Sequence, residues 1–317
     1  MSTENKAGGA KAPPASAYAG RIKVGLLGPR GTFSEQAARQ FIDRQLADTV
    51  RRRASGNVVA TMQPYRDIAD LLFAADRGEV DIGVVPAENS IEGSVAVTLD
   101  MLVHDVNLVI VGEVVIPVRH HLLVKSGVAL EDIRKVVSHP QALAQCRRYL
   151  QTHLPDAVLQ PALSTAAAAQ EVAASERGDV AAIGTELSAD LYGLSVAAAN
   201  VQDVSDNATR FFVVTQRTRQ QWADVLTTPT GRDKTSIVFR FGQDRPGNLY
   251  GALGEFAARR INLSKLESRP AKRVLGDYMF FADIEGHIRD KLVVEALDAL
   301  VRRCAYMKIL GSYPRMH

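Results

Sequence analysis

Cysteine is almost absent from this sequence, since Cys146 and Cys304 are the only two among 317 residues. Two cysteines are too few for a disulfide framework or for an all-cysteine metal site, which indicates a reducing cytoplasm. Long apolar runs are absent as well: LVIVGEVVIPV (108–118), among the longest, falls well short of the roughly 20 apolar residues that span a bilayer. We therefore expect a cytoplasmic protein with no membrane partner.

No excess of one charge sign marks the chain, because 38 basic and 35 acidic residues leave a formal charge of +3. Such a balance gives no indication of nucleic acid as a partner. Hydrophobic residues make up 46% and charged residues 23%, as in ordinary globular proteins. Residues 1–20 are rich in Ala, Pro, Gly and Ser without the apolar stretch of a secretory signal, and we expect them to form a flexible tail.

From Arg21 onward, short apolar runs alternate with helical patterns, which predicts an α/β fold. IKVGLL (22–27) has the pattern of a buried strand, DIADLLFAAD (67–76) that of a helix, and VDIGVVP (80–86) that of a returning strand. The same alternation of strand and helix patterns continues to Gln216. Its last part, residues 194–216, has the pattern of two strands joined by a polar connection.

A second unit follows a polar segment, residues 217–234, which Pro229 and Gly231 interrupt and which we interpret as a linker. Beyond it, strand and helix patterns alternate in the order βαββαβ within residues 235–317. That order is typical of a ferredoxin-like domain.

Three segments with polar residues lie at the ends of predicted strands, where open α/β sheets bind ligands: GPRGTFS (28–34), PAENSIEG (86–93) and DNATRFFVV (206–214), of which the last opens a strand. The first is compatible with a backbone anion site or with a tight turn and a helix cap. The second is compatible with a binding site or with a solvated loop. In the third, Arg210 is either an edge residue or a ligand for a carboxylate.

Taken together, these segments resemble the prephenate dehydratase family over residues 22 to about 216. The matching motifs are GPRGTFSEQAA (28–38), VPAENSIEGSV (85–95), SHPQALAQC (138–146), STAAAA (164–169) and YGLSVAAANVQDVSDNATRFFVV (192–214). The resemblance implies a two-lobed α/β catalytic domain like that of periplasmic binding proteins, over residues 21–216.

The second unit resembles the ACT domain that accompanies these enzymes, through GALGEF (251–256) and NLSKLESRP (262–270). The resemblance implies a monofunctional bacterial enzyme without a chorismate mutase domain, with L-phenylalanine as allosteric effector. It also implies a homo-oligomer, a dimer or a tetramer, formed through the ACT and catalytic domains. The residues expected to bind phenylalanine are Gly247, Asn248, Leu249, Gly251, Ala252, Leu253, Glu267, Ser268, Arg269 and Pro270.

The implied reaction converts prephenate to phenylpyruvate with loss of water and CO2, and needs no metal, nicotinamide or flavin. Its leaving hydroxyl requires a proton or a strong hydrogen-bond donor, and the carboxylates require cations and amides. The resemblance suggests Thr209 as that donor. The expected catalytic residues are Thr209, Arg210, Asn89, Ser138, Gln145 and Glu88, and the expected substrate-binding residues are Gly31, Thr32, Phe33, Ser34, Ser90 and Phe211.

Several alternatives stay open at this stage. Glu88 is equally compatible with a proton relay and with a helix cap or salt bridge, and Arg210 with holding a carboxylate or the loop. Cys146 is interpreted as structural, as are the neighbours His120 and His121, which would point to opposite faces of a strand. The alternative functions are an arogenate dehydratase, a prephenate decarboxylase and a two-lobed protein that binds a ligand without converting it.

Overall fold

The computed structural model describes residues 20–47, 58–219, 226–271 and 277–316, which form one ten-stranded and one five-stranded β-sheet. The strands are β1 (Gly20–Leu27), β2 (Val58–Tyr65), β3 (Ile82–Asn89), β4 (Gly93–Ser94), β5 (Leu108–Pro117), β6 (His121–Val124), β7 (Lys135–Ser138), β8 (Val158–Pro161), β9 (Val180–Gly184), β10 (Ser195–Ala198), β11 (Ala208–Gln216), β12 (Asp233–Arg240), β13 (Leu263–Pro270), β14 (Tyr278–Glu285) and β15 (Tyr306–Pro314). The helices are α1 (Phe33–Gln40), which continues as a π-helical segment (Phe41–Leu46), α2 (Ile68–Asp76), α3 (Ala96–His104), α4 (Pro140–Gln145), α5 (Arg147–His153), α6 (Thr165–Ala174), α7 (Glu186–Tyr192), α8 (Asn248–Ala257) and α9 (Lys291–Val301).

The first lobe is a sheet in the order β2-β1-β3-β11-β5, in which β11 runs antiparallel to both neighbours. Its strands are apolar on both faces because helices cover both. Val84 and Phe211 pack with α1, whereas Val85 and Phe212 pack with α2 and α3. This arrangement explains why the strands read as continuous apolar runs.

The second lobe is the five-stranded sheet β10-β6-β9-β7-β8, with helices α4 to α7 around it. Local signals fix the helix starts: Pro140 occupies the first turn of α4, Ser164 caps α6, and Thr185 forms a capping box with Ser188 on α7. The chain crosses between the lobes twice, after β5 and before β11. The predicted two-lobed α/β architecture is therefore confirmed.

The carboxyl-terminal unit has the strand order β13-β14-β12-β15, with α8 and α9 packed on one face. This is the ferredoxin-like arrangement expected from the sequence, which is confirmed. Its first strand begins at Asp233, inside the segment 217–234 that was predicted as a linker, and residues 220–225 of that segment lie outside the described residues. The predicted tail also lies outside them, apart from Gly20, at which β1 begins.

The two units share one sheet, which the sequence did not indicate. Strand β15 meets β5 in parallel at the pair Gly311 and Ile110, so the ACT-like sheet continues into the first lobe. The approach is close enough that a Cβ on Gly311 would lie 2.1 Å from the Ile110 carbonyl oxygen. On the face opposite α8 and α9, Phe281 and Leu310 pack against Leu102 of α3.

No helix within the described ranges combines the length and the apolar character that crossing a bilayer requires.

Candidate active site

A cavity of about 320 Å³ lies between the two lobes, where the strands of the first lobe end. Its wall consists of Leu27, Gly28, Thr32, Phe33, Ser34, Arg66, Asn89, Val118, His120, His139, Gln141, Ala142, Gln145, Leu163, Ser164, Thr165 and Thr209. Six residues predicted from the sequence are among them: Thr32, Phe33, Ser34, Asn89, Gln145 and Thr209. Ligands in two-lobed α/β proteins are expected at such strand ends.

Asn89 and Thr209 form the centre of this wall, because β3 and β11 pair them directly. The side-chain nitrogen of Asn89, Nδ2, donates to the Thr209 hydroxyl oxygen at 2.9 Å. The side-chain oxygen of Asn89, Oδ1, accepts from the backbone amides of Ile91 and Glu92. The Thr209 oxygen thus already accepts a hydrogen bond, and its own proton is donated to no described residue. A hydroxyl held in this way can donate to a molecule in the cavity.

A chain of hydrogen bonds connects this pair to the second lobe. Asn207, which is 2% exposed, accepts from Asn89 at 2.9 Å and donates to the Gln145 carbonyl oxygen at 3.3 Å. His120 Nε2 lies 3.1 Å from the same Gln145 oxygen, so this nitrogen carries the proton that it donates. Ser90 donates to Asn207 at 3.2 Å and lies behind the wall, where it supports the chain without lining the cavity.

Arg210 and Glu88 do not lie in the cavity, which corrects the expectation that they act on the substrate. Neighbouring strand residues face opposite sides of a sheet, so Arg210 points away from Thr209 and Glu88 away from Asn89. The Arg210 guanidinium donates to Glu113 at 2.7 Å, to Asp283 at 2.6 Å and to Tyr313 at 2.9 Å. Burial lowers the pKa of Arg210, but Tyr313, Asp283 and Glu113 raise it further than burial lowers it.

Glu88 is likewise engaged with the carboxyl-terminal unit. Its carboxylate lies 3.1 Å from Lys265 Nζ on β13 and 3.5 Å from the Arg210 guanidinium. Of the two interpretations left open for Glu88, the structure thus shows the salt bridge.

The turn at residues 28–34 does not present its amides to the cavity in the expected way. The Gly31 amide donates to the carboxylate of Glu35 at 2.7 Å, so the chain's own anion occupies that position. The Gly31 carbonyl oxygen accepts from Thr185 of the second lobe at 2.7 Å. Burial raises the pKa of Glu35, and the hydrogen bonds from Arg39 and Gly31 more than offset this and lower it.

Ser138 and Phe211 are also corrected, because both are structural. Ser138 is fully buried and donates to the Ile183 carbonyl oxygen at 2.7 Å, which ties β7 to β9. Phe211 lies in the core between the first sheet and α1. Cys146 is buried, and burial raises the pKa of its thiol to about 12, so it is a poor nucleophile.

The structure adds residues that sequence reasoning missed. Arg66 follows β2 and is the only arginine in the described cavity wall, so it replaces Arg210 as the candidate ligand for a substrate carboxylate. Its position after a strand was the available signal, but β2 itself was not predicted. His120 was interpreted as structural, and the structure places it in the wall.

The residues expected to bind phenylalanine lie in two segments at one end of the carboxyl-terminal sheet, because β12 and β13 run parallel. The first segment is the start of α8: Gly247 caps the helix, and Asn248, Leu249, Gly251, Ala252 and Leu253 lie within it. Of these, Leu249 and Ala252 pack in the core of the unit. On β13, Ser268 and Pro270 are exposed.

Glu267 and Arg269, which were also expected to bind phenylalanine, instead face the first lobe of the same chain. Glu267 accepts from Ser94, and Arg269 pairs with Asp100 at 3.1 Å. Strand alternation separates them from Ser268 and Pro270. Among the described residues, no group of three or more His, Cys, Asp or Glu side chains is arranged to hold a metal ion.

Comparison with protein-family models finds two matches along the chain. The model described as prephenate dehydratase matches residues 24–219, and the model described as ACT domain matches residues 235–302.

Curated relatives match over nearly the whole length. The prephenate dehydratase of Mycolicibacterium vanbaalenii is 42% identical over 291 residues, which cover 92% of this chain and 90% of that protein. The bifunctional chorismate mutase/prephenate dehydratase of Aquifex aeolicus is 41% identical over 295 residues, covering 93% of this chain and 74% of the relative.

Two solved structures share the fold across both units. Prephenate dehydratase from Arthrobacter aurescens, in complex with L-Phe, is 37% identical with a TM-score of 0.79, covering 93% of this chain and 90% of that one. GqqA, described as a novel type of quorum quenching acylase, is 30% identical with a TM-score of 0.76, covering 93% and 98%. From the family match, the relatives and the shared fold, the chain belongs to the prephenate dehydratase family of lyases and carries an ACT domain.

Proposed function

We propose that this chain converts prephenate to phenylpyruvate, with loss of water and CO2, as a step of L-phenylalanine synthesis. The observation that carries the proposal is the Thr209 hydroxyl, fixed by Asn89 in the wall of the interlobe cavity. The proposed catalytic domain is residues 21–216 and the proposed regulatory domain residues 235–317.

In this reaction, the bond between the ring carbon and its carboxylate breaks and releases CO2. Its electron pair completes the aromatic ring as the bond to the ring hydroxyl breaks, and the leaving oxygen takes up one proton to become water. Thr209 donates a hydrogen bond to that oxygen as negative charge develops on it. Arg66 holds a carboxylate of the dianion, and Asn89 and Gln145 keep the donors in position.

The cavity wall favours prephenate over arogenate. Arogenate carries an ammonium group where prephenate has a keto group, and a buried ammonium calls for a carboxylate partner. The described wall contains no Asp or Glu, whereas it contains Arg66 and several neutral donors.

GqqA is described as an acylase, but no specific feature of this cavity supports an acylase reaction for this chain. An acyl-transfer nucleophile is normally activated by a base within hydrogen-bond reach. Among the described residues, none of the cavity hydroxyls of Thr32, Ser34, Ser164, Thr165 and Thr209 is hydrogen-bonded to a histidine.

We further propose that phenylalanine bound to the ACT domain controls the activity. Two contacts support a direct route: Lys265 pairs with Glu88, the neighbour of Asn89, and Asp283 pairs with Arg210, the neighbour of Thr209. A change in the position of β13 or β14 would therefore act on the strand pair that carries Asn89 and Thr209. Such an effector must bind the two states with different affinity.

We also propose that the chain forms a homo-oligomer, a dimer or a tetramer, through the ACT and catalytic domains. Its proposed location is the cytoplasm. Strand β13 is an outer strand of the described ten-stranded sheet, and its free backbone edge is suited to pairing with a second copy. Both cysteines are unpaired, which fits a reducing compartment. Light scattering of the purified chain measures the oligomer, and a monomer at all concentrations would contradict that part.

The function is tested by incubating the purified full chain with prephenate, and separately with arogenate, and identifying the products. We expect phenylpyruvate from prephenate and little phenylalanine from arogenate. Product from arogenate and none from prephenate would instead identify the chain as an arogenate dehydratase. Tight binding of prephenate without any product would favour the ligand-binding alternative, and loss of CO2 with the hydroxyl retained would favour the decarboxylase.

A further inference from the structure

His120 is the least explained side chain of the cavity. It lies where the chain first crosses between the lobes, lines the cavity and is only 3% exposed. Its Nε2–H donates to Gln145, and its ring meets the ring of Phe33 edge-on at 5.6 Å. Its other nitrogen, Nδ1, is buried and has no hydrogen-bond partner among the described residues.

A buried polar atom without a partner destabilises the folded state, and in a native structure a catalytic role is one of the reasons for retaining it. The bond from Nε2 fixes both the orientation and the tautomer of the ring, and leaves Nδ1 with a free lone pair. A molecule bound in the cavity can supply the missing partner.

We propose, on the basis of the proposed dehydratase function, that His120 is a catalytic residue whose Nδ1 carries the proton that the leaving ring hydroxyl takes up. The reaction consumes one proton for each prephenate dianion, and a threonine hydroxyl is too weak an acid to supply it alone. The proton passes from Nδ1 to the leaving oxygen as the bond from that oxygen to carbon breaks. The neutral imidazole regains a proton from the solvent when the next prephenate dianion binds.

The charges around His120 make its protonation depend on the substrate. Burial lowers the pKa of His120, the hydrogen bond to Gln145 raises it by less, and the neighbouring His121 lowers it further, so without substrate the neutral ring is favoured at pH 7. The charged or titratable groups that share its cavity wall are Arg66 and His139, and on α1 the carboxylate of Glu35 is bound to Gly31 and Arg39.

No described carboxylate therefore lies in the wall to stabilise an imidazolium. The two carboxylates of bound prephenate provide that negative charge, which raises the pKa of the ring in the complex. The acid is thus formed only when the substrate is present.

The experiment compares kcat, KM and their pH profiles for the wild type, His120→Gln and His120→Asn. Gln places an amide where Nε2 donates to Gln145, and Asn places one near Nδ1, but neither carries a transferable proton. We expect both variants to lose about 10²–10⁴-fold in kcat. Wild-type kcat should fall as pH rises through the pKa of His120 in the complex, and the residual kcat of the variants should not.

His121→Gln is the matched control, since His121 is also buried but does not line the cavity. It should keep the kcat of the wild type at low pH and the falling shape of its pH profile, with the midpoint moved only towards higher pH, because the effect of His121 on the pKa of His120 is removed. A third variant, His120→Ala, should regain activity with added imidazole, in proportion to the imidazolium fraction.

Two results would overturn the inference. One is a His120→Gln variant with nearly full kcat and an unchanged pH profile, which would leave His120 only the role of positioning Gln145. The other is a wild-type kcat that stays constant across neutral pH, which requires no variant to fold. A wild type without turnover of prephenate would instead refute the proposed function.

Discussion

Arg210 of β11 and Asp283 of β14 form an ion pair across the boundary between the catalytic and ACT units, with 2.6 Å between guanidinium and carboxylate. Glu113, Ser236 and Tyr313 complete a buried network around them. The residue after Thr209 is thereby bound to the regulatory domain.

Removing one partner should be costly, because a buried charge is left without its counterpart. We expect Asp283→Ala to lower the free energy of unfolding by about 3–5 kcal/mol, measured by urea denaturation. The control is Glu285→Gln on the same strand, which removes an exposed pair with Arg315 and should change stability by less than about 1 kcal/mol. Equal effects of the two substitutions would contradict a buried network.

The contrast between the two faces of β3 and β11 shows what the sequence could and could not predict. Apolar runs and helix caps predicted many of the strands and helices of both units, although not β2, since these depend on local patterns. The segment 86–93 was interpreted as a loop, but β3 extends to Asn89. Because side chains alternate along a strand, Asn89 faces the cavity and Glu88 faces the ACT domain. In an irregular loop the two side chains would not have to point in opposite directions.

Other features depend on contacts between distant segments and left no local signal. The junction of β5 with β15 and the capture of the Gly31 amide by Glu35 are of this kind. Family resemblance named Asn89, Gln145 and Thr209, which lie in the wall of one cavity. It also named Arg210, whose side chain is on the opposite face of β11, because a sequence motif does not distinguish the two faces of a strand.

Thr209 should be needed for its hydroxyl rather than for its shape. Thr209→Val keeps the volume and removes the donor, and we expect kcat to fall about 10²–10⁴-fold, measured as phenylpyruvate formation. Thr209→Ser keeps the donor and should retain much more activity. A Val variant as active as the Ser variant would remove the hydroxyl from the mechanism.

The close approach of Gly311 to Ile110 should make this glycine necessary for joining the two units. A Cβ at 2.1 Å from a backbone oxygen cannot be accommodated without separating β15 from β5, so Gly311→Ala should increase proteolysis between the units. Gly178→Ala is the control, since nothing lies within 4 Å of its Cβ position. Unchanged proteolysis of the Gly311 variant would argue against a continuous sheet.

Glu35 should make stability depend on pH in the acid range. Its pKa in the folded protein is lower than its ordinary 4.5, so its contribution is fully present above that value and is lost as pH falls through the folded pKa. We expect Glu35→Gln to cost about 1–3 kcal/mol at pH 7 and less under acid conditions. Urea unfolding against pH measures this, with the exposed Glu176→Gln as control; a difference that grows in acid would contradict the assignment.

We propose that the strand pair β3 and β11 serves catalysis with Asn89 and Thr209 on one face and regulation with Glu88 and Arg210 on the other. The most direct test is the rate of phenylpyruvate formation against phenylalanine concentration for the wild type and for Lys265→Met, which loses the contacts with Glu88 and Ser94. We predict that the variant keeps its rate without phenylalanine while its response to phenylalanine weakens at least about 5-fold. An unchanged phenylalanine response in Lys265→Met would contradict the claim.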